Sequence, residues 1–301
     1  MNILMIFIDG IGIGKEDYEY NPFFKYNFKT FSDLFGDIPS LNNQIIKKNN
    51  RFIFPSDARL GIDGLPQSGT GQTSIFCGIN AAEFVGKHFG PYPYSTLIPI
   101  IKKKNIFLSF LKRNKKAFFA NAYPKVFFDY INSGKQRLSV TSLSCRLSGM
   151  KLNSITDVRK GNALTAEITN ERWNKKLGYN LPVIRPETAA RRLLKIASKN
   201  KFTLYEYFLT DHIGHGRFDG EVESTIKTLD NFLFTVLNEM DNEKLSLLIC
   251  SDHGNFEDLS VKTHTLNPAL TLSAGRGAEK LFRQIKNISQ IKRAILKISD
   301  E

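Results

Sequence analysis

No apolar run among the 301 residues approaches the roughly 18 that a membrane-spanning helix requires. The opening Met1-Asn2-Ile3-Leu4-Met5-Ile6-Phe7-Ile8 has no basic leader and reaches Asp9 too early for a signal peptide. It reads as a first central strand, so we expect a cytoplasmic protein with no membrane partner. Cysteine is scarce: Cys77, Cys145 and Cys250 are odd in number and lack zinc-ribbon spacing, which argues against a disulfide framework and fits a reducing compartment. There is no low-complexity tract and no internal repeat at a fixed period. Histidine is rarer than chance placement would make conspicuous, at five residues, yet four of the five fall in three short stretches near predicted strand ends. Neither solvated nor core histidines account for that clustering.

What is present supports a sizeable core. A hydrophobic fraction of 42% suits one large α/β domain, or one core with an insertion. Strand-like runs alternate with helical ones throughout, which predicts a mostly parallel central sheet with helices on both faces. Order weakens between residues 123 and 181, which hold the single tryptophan, Trp173. We expect a metalloenzyme-like core formed by 1–122 and 182–301, with 123–181 as a small cap. The net charge of +13 is compatible with an anionic surface, nucleic acid or a phosphorylated substrate. Lysine runs such as Lys102-Lys103-Lys104 usually form a solvated face. Aromatic residues do not interleave with them as in a base-stacking module, so no nucleic acid is expected.

Chemistry concentrates where apolar strands end. Tyr205-Glu206-Tyr207-Phe208-Leu209-Thr210 runs directly into Asp211-His212-Ile213-Gly214-His215, and polar groups released at such an end sit where α/β sheets bind ligands. Asp211 and His215 are therefore candidate metal ligands. A second run, Leu245 to Ser251, ends in Asp252-His253-Gly254-Asn255, and His264 follows in Thr263-His264-Thr265-Leu266-Asn267-Pro268. The first strand ends at Asp9, followed by a glycine-rich turn. That turn is neither a dinucleotide fingerprint nor a P-loop, because Lys15 and Glu16 stand where those motifs need glycine and hydroxyl residues. Gln67-Ser68-Gly69-Thr70-Gly71-Gln72 predicts a tight loop opening a helix whose amides favour a phosphate oxygen. Ser68 reads there either as a nucleophile or as a helix N-cap, and Thr70 shares the second role.

Taken together, Asp9-Gly10, Ser68-Gly69-Thr70-Gly71-Gln72, Asp211-His212-Ile213-Gly214-His215, Ser251-Asp252-His253-Gly254-Asn255 and Thr263-His264-Thr265-Leu266-Asn267-Pro268 resemble the alkaline phosphatase superfamily. The likeness is greatest to its cofactor-independent phosphoglycerate mutase and phosphopentomutase branch. The resemblance implies one metal on Asp211, His215 and His264, and another on Asp9, Asp252 and His253. Ser68 would be the nucleophile, reaching toward both ions, with Thr70 as the second candidate. Mixed carboxylate and imidazole shells suit two divalent ions of the Mn²⁺ or Zn²⁺ kind. The branch usually has histidine where Gln72 stands, and its phosphoglycerate mutases carry a large second domain for which this chain has too few residues.

The expected activity is phosphoryl transfer: a phosphatase acting on a small phosphorylated substrate through a phosphoserine. The alternatives are an intramolecular mutase acting on a phosphosugar or phosphoglycerate, a phosphodiesterase, and a non-catalytic metal-binding protein. Sulfate esters rank lower because the Cys-x-Pro-x-Arg signature is missing. An anionic substrate under a small lid needs counter-charge, for which Lys87 and His88 are candidates, joined by Lys125, Arg137 and Arg146 from the insertion.

Overall fold

The computed structural model describes residues 1–300 except 135, 136 and 219. Seven strands form one sheet: β1 (Asn2–Ile8), β2 (Ile46–Lys48), β3 (Arg51–Ser56), β4 (Ala117–Phe119), β5 (Phe202–Tyr207), β6 (Leu245–Cys250) and β7 (Ala269–Gly275), in the spatial order β2-β3-β7-β6-β1-β5-β4. β1 pairs in parallel with both β5 and β6, and β4 is parallel to β5. β7 runs antiparallel to β6 and β3, and β2 antiparallel to β3. The sheet is thus mostly parallel, with helices on both faces, as the alternating pattern predicts.

The central strands are apolar without alternation because both of their faces are covered. Ile3, Met5 and Phe7 of β1 join Ile75, Phe76, Phe107 and Ile295 on one side, whereas Leu4, Ile6 and Ile8 join Phe31, Leu193 and Phe232 on the other. Helix Val140–Leu147, within 123–181, places Val140, Leu143 and Cys145 in the first of these layers. Val158, Ala163, Trp173 and Leu181 instead form a small cluster of their own with Ala122. All three cysteines are free and buried. Among the described residues no helix is long and apolar enough to cross a membrane.

This topology places β1, β5 and β6 side by side with their C-terminal ends together, and β7 enters the sheet from that same end. Everything carried on the segments after β1, β5 and β6 and before β7 therefore converges at one edge of the sheet, as expected for an open parallel sheet.

Candidate metal centre

Each chemical side chain arrives on a segment held to its neighbours by backbone bonds. Asp9 follows β1, its amide bonded to the Tyr207 carbonyl at 2.9 Å and its carbonyl to the Thr210 hydroxyl at 2.6 Å. After β5 the chain enters a short helix, Leu209–Gly214, so Asp211 and His215 lie one turn apart on the same face. Gly214 leaves room there: a Cβ at that position would sit 2.1 Å from Asn255 Oδ1. Asp252 and His253 follow β6, where Ser251 donates to the His253 carbonyl and accepts from the Ile11 amide. His264 lies in the loop before β7, and the Thr265 amide donates to the Gly254 carbonyl at 3.0 Å.

These elements bring together all seven residues that the sequence resemblance assigns to metal and nucleophile. His215 Nε2 lies 3.3 Å from Asp211 Oδ1 and 3.0 Å from His264 Nε2, and His264 Nε2 lies 3.5 Å from Asp211 Oδ1. His253 Nε2 is 3.4 Å from Asp9 Oδ1, 3.5 Å from Asp252 Oδ2 and 3.1 Å from Ser68 Oγ. Two overlapping groups of donor atoms result, Asp9–Asp252–His253 and Asp211–His253–His264, the atoms of each within 4.8 Å of one another. The rings of His253 and His264 stack with centroids 3.7 Å apart.

The three imidazoles share one orientation device. Nδ1 of His215 faces the Lys262 carbonyl at 2.9 Å, that of His264 the Pro66 carbonyl at 2.6 Å, and that of His253 the Gly254 carbonyl at 3.3 Å. A carbonyl only accepts, so each Nδ1 carries a hydrogen, which leaves each Nε2 to present a lone pair to a metal when the ring is neutral.

The electrostatics are those of carboxylates crowded in a buried space. Burial, reinforced by Asp252, Asp211 and Glu206, raises Asp9 well above the usual carboxylate range. Burial works in the same direction on Asp211, but the hydrogen bond from His264 and the neighbouring His253 and His215 outweigh it and hold that carboxyl below the usual range. Burial lowers His253; it also opposes protonation of His264, but Asp211 and the Pro66 carbonyl raise His264 nonetheless. Asp9 Oδ1 and Asp252 Oδ2 are buried with no hydrogen-bond partner. Acceptors left that way cost free energy unless a cation meets them, and the mixed oxygen and nitrogen set fits a borderline divalent ion. The residues present therefore fit a metal at both groups.

Ser68 is the first residue of helix Ser68–Cys77, and Gln67 occupies the N-cap position. The Thr70 hydroxyl is engaged with Gln67 and with the backbone of Phe89, so of the two hydroxyls it is Ser68 that faces the cluster. Gln72 donates to Asp9 Oδ2 at 3.1 Å. The substrate candidates have partners of their own or face solvent. Lys87 is exposed, and half-buried His88 turns Nε2 to the Ile62 carbonyl at 3.2 Å, where burial lowers its pKa. Lys125 pairs with Asp129, and Arg137 and Arg146 are exposed. No hydrogen bond or ion pair among the described residues joins any of the five to the cluster.

Two carboxylates went unread in the sequence. Glu206, the only charge in β5, is buried, accepts from Thr141 at 2.6 Å, and is pushed up to about 7 by burial, which outweighs the Thr141 bond. Its signal was a lone acid inside an apolar strand. Glu257, almost wholly buried, accepts hydrogen bonds from the loop after β1 and from its own β6–β7 connection.

Residues 152–298 match a family model described as the Metalloenzyme superfamily. Among solved structures, the PH0037 protein from Pyrococcus horikoshii superposes with a TM-score of 0.57 at 13% identity, covering 99% of this chain and 96% of that one. A variant of the alkaline phosphatase from the Antarctic bacterium TAB5, with Mg bound in its M3 site, gives 0.53 at 12% identity, covering 99% and 97%. The fold is therefore alkaline phosphatase-like. No curated protein matches the sequence.

Proposed function

We propose that this chain is a metal-dependent phosphoryl-transfer enzyme, and specifically a phosphatase that acts on a small phosphate monoester through Ser68. The observation that carries this reading is the pair of donor groups sharing His253, with the Ser68 hydroxyl 3.1 Å from that same imidazole. Asp211, His215 and His264 would hold one divalent cation and Asp9, Asp252 and His253 the other, of the Mn²⁺ or Zn²⁺ kind. Cations bound there supply positive charge that lowers the pKa of a hydroxyl and neutralises phosphoryl oxygens.

The chain's own residues supply the rest. Ser68 Oγ, held at the first position of a buried helix, is placed to attack phosphorus: the Ser68 O–P bond forms as the hydroxyl proton is released to solvent, the ester P–O bond breaks, and the alkoxide leaves as the alcohol with a proton taken from solvent. Attack by water on the phosphoserine then releases inorganic phosphate and restores the hydroxyl. The Nδ1–carbonyl bonds keep the three imidazoles from rotating during both steps. Hydrolysis is favoured over mutase chemistry because a mutase must seal its phosphoenzyme from water. Within 123–181 the only hydrophobic cluster separate from the two main core layers, among the described residues, is the small one around Trp173, which offers little with which to build such a seal.

The test is turnover of p-nitrophenyl phosphate and a panel of phosphate esters with Mn²⁺ or Zn²⁺, following free phosphate and positional isomers together by ³¹P NMR. Phosphate release that is lost in Ser68→Ala is expected. Isomer formation without release would replace the phosphatase by a mutase, and full activity in Ser68→Ala would remove the nucleophile.

A further inference from the structure

We infer that Glu257 is a positioning residue whose single carboxylate folds both ends of the β6–β7 connection together and ties them to the loop after β1, so that its reach, rather than its charge, sets the geometry in which the metal ligands meet. This rests on the proposed metal centre. Oε2 accepts from the Gly12 amide and from the Asn255 amide, each at 2.8 Å. Oε1 accepts from the Thr265 hydroxyl at 2.5 Å and from Asn267 Nδ2 at 3.0 Å. The donors lie on two loops: Gly12 on the one after β1, and Asn255, Thr265 and Asn267, like Glu257 itself, on the single connection from β6 to β7.

Each donor is a short step from a ligand. Gly12 is three residues beyond Asp9. Asn255 passes its own Nδ2 hydrogen bond to Asp211 Oδ1 at 2.9 Å, which joins the segment after β5 to the frame as well. Thr265 adjoins His264. A residue that merely filled space here would not need to be charged, and one that merely balanced charge would face a cation. Glu257 faces four neutral donors, one on the loop after β1 and three spread along the β6–β7 connection, a pattern of geometric restraint.

The surrounding glycines support this. A Cβ on Gly12 would lie 2.6 Å from Glu257 Oε1, and one on Gly254 2.4 Å from the same atom. Gly12 and Gly254 thus clear the space that this carboxylate occupies.

Substitutions that separate reach from charge provide the test. Glu257→Gln keeps length and removes charge: its oxygen can take the two amides, while its NH₂ donates to Thr265 Oγ1 and to a turned Asn267 amide. Glu257→Asp keeps charge and shortens reach. Metal-stripped wild type, Glu257→Gln, Glu257→Asp and Glu257→Ala are titrated with Mn²⁺ and with Zn²⁺ by isothermal calorimetry, at a temperature where circular dichroism shows each to be folded. We expect Glu257→Gln to stay within about threefold of wild-type affinity, and Glu257→Asp and Glu257→Ala to lose roughly 10–100-fold, the usual cost of removing an outer partner of metal ligands. If Glu257→Ala does not fold, the comparison of Gln with Asp decides alone. Wild-type affinity in Glu257→Asp with loss in Glu257→Gln would overturn the inference in favour of charge, and unchanged affinity in all variants would overturn it outright. Failure of wild type to bind either metal would remove the proposed function together with this inference, which distinguishes the two failures.

Discussion

Replacing Glu206 by glutamine should stabilise the metal-free protein, and should do so increasingly as pH rises. Glu206 is buried at the end of β5, and burial pushes its carboxyl up to about 7 from an ordinary value near 4.5. Because the folded-state pKa lies above the unfolded one, the folded state binds the extra proton between those values. Stability attributable to this group is therefore greatest below about pH 4.5, falls as pH rises toward 7, and stays reduced above it. A shift of this size corresponds to about 3 kcal/mol at pH 8 but under about 1 kcal/mol at pH 5. Glutamine keeps an acceptor for the Thr141 hydroxyl and carries no charge to desolvate. Thermal unfolding of chelator-treated wild type and Glu206→Gln from pH 5 to pH 8 should show curves that separate with pH. The gap should reach roughly 5–10 °C at pH 8, given a few degrees per kcal/mol for a chain this long. Parallel curves, with no growth of the gap above pH 5, would refute the claim that Glu206 is held as a buried, costly charge.

Other outcomes follow from the site. Adding Mn²⁺ or Zn²⁺ at about a hundred times its dissociation constant should stabilise the stripped protein by about 2.7 kcal/mol per independent site, and Asp252→Asn should reduce that gain in differential scanning fluorimetry. Ser68→Ala should lower kcat by at least about a hundredfold, as expected when a nucleophile is removed, while calorimetric metal stoichiometry is retained. In Gly214→Ala the new Cβ would lie 2.1 Å from Asn255 Oδ1. That side chain must then leave its bond to Asp211, and metal affinity should fall roughly tenfold, as read by equilibrium dialysis.

The parts of this site that could be read from the sequence are those where a periodic pattern ends in a chemical residue. Asp9, Asp211, Asp252 and His253 stand just past apolar strands, and His264 just before one, so strand boundaries located them. The sheet was legible for the same reason, since β1, β5 and β6 are apolar on both faces. Glu257 was not legible because one donor, Gly12, lies 245 positions away, and nothing in the irregular β6–β7 connection marks an acid as the hub of its own loop. His88 shows the limit in another way: a histidine and a lysine past the Ser68 helix suggest counter-charge, and nothing in the sequence signals that the ring faces the Ile62 carbonyl. The segment 123–181 looked irregular because its helices are short, yet Val140–Leu147 packs beside the Ser68 helix in one core layer. Packing of that kind has no signature in composition.

The strand order also bears on how the molecule is made. β1 is made before every other strand of this sheet, yet it is central, and its neighbours arrive late: Ile3 pairs with Phe202 on one side and Ser246 on the other. At 5–20 residues per second, roughly 10–40 s of synthesis separate β1 from its first partner. Throughout that interval a seven-residue apolar strand has both edges unpaired, the condition under which chains associate with one another. Contacts this distant in sequence also slow the search for the native state after release. Yield of soluble protein should accordingly depend on translation rate and on chaperones that shield nascent strands, and slower synthesis at low temperature should improve it only when such shielding keeps pace.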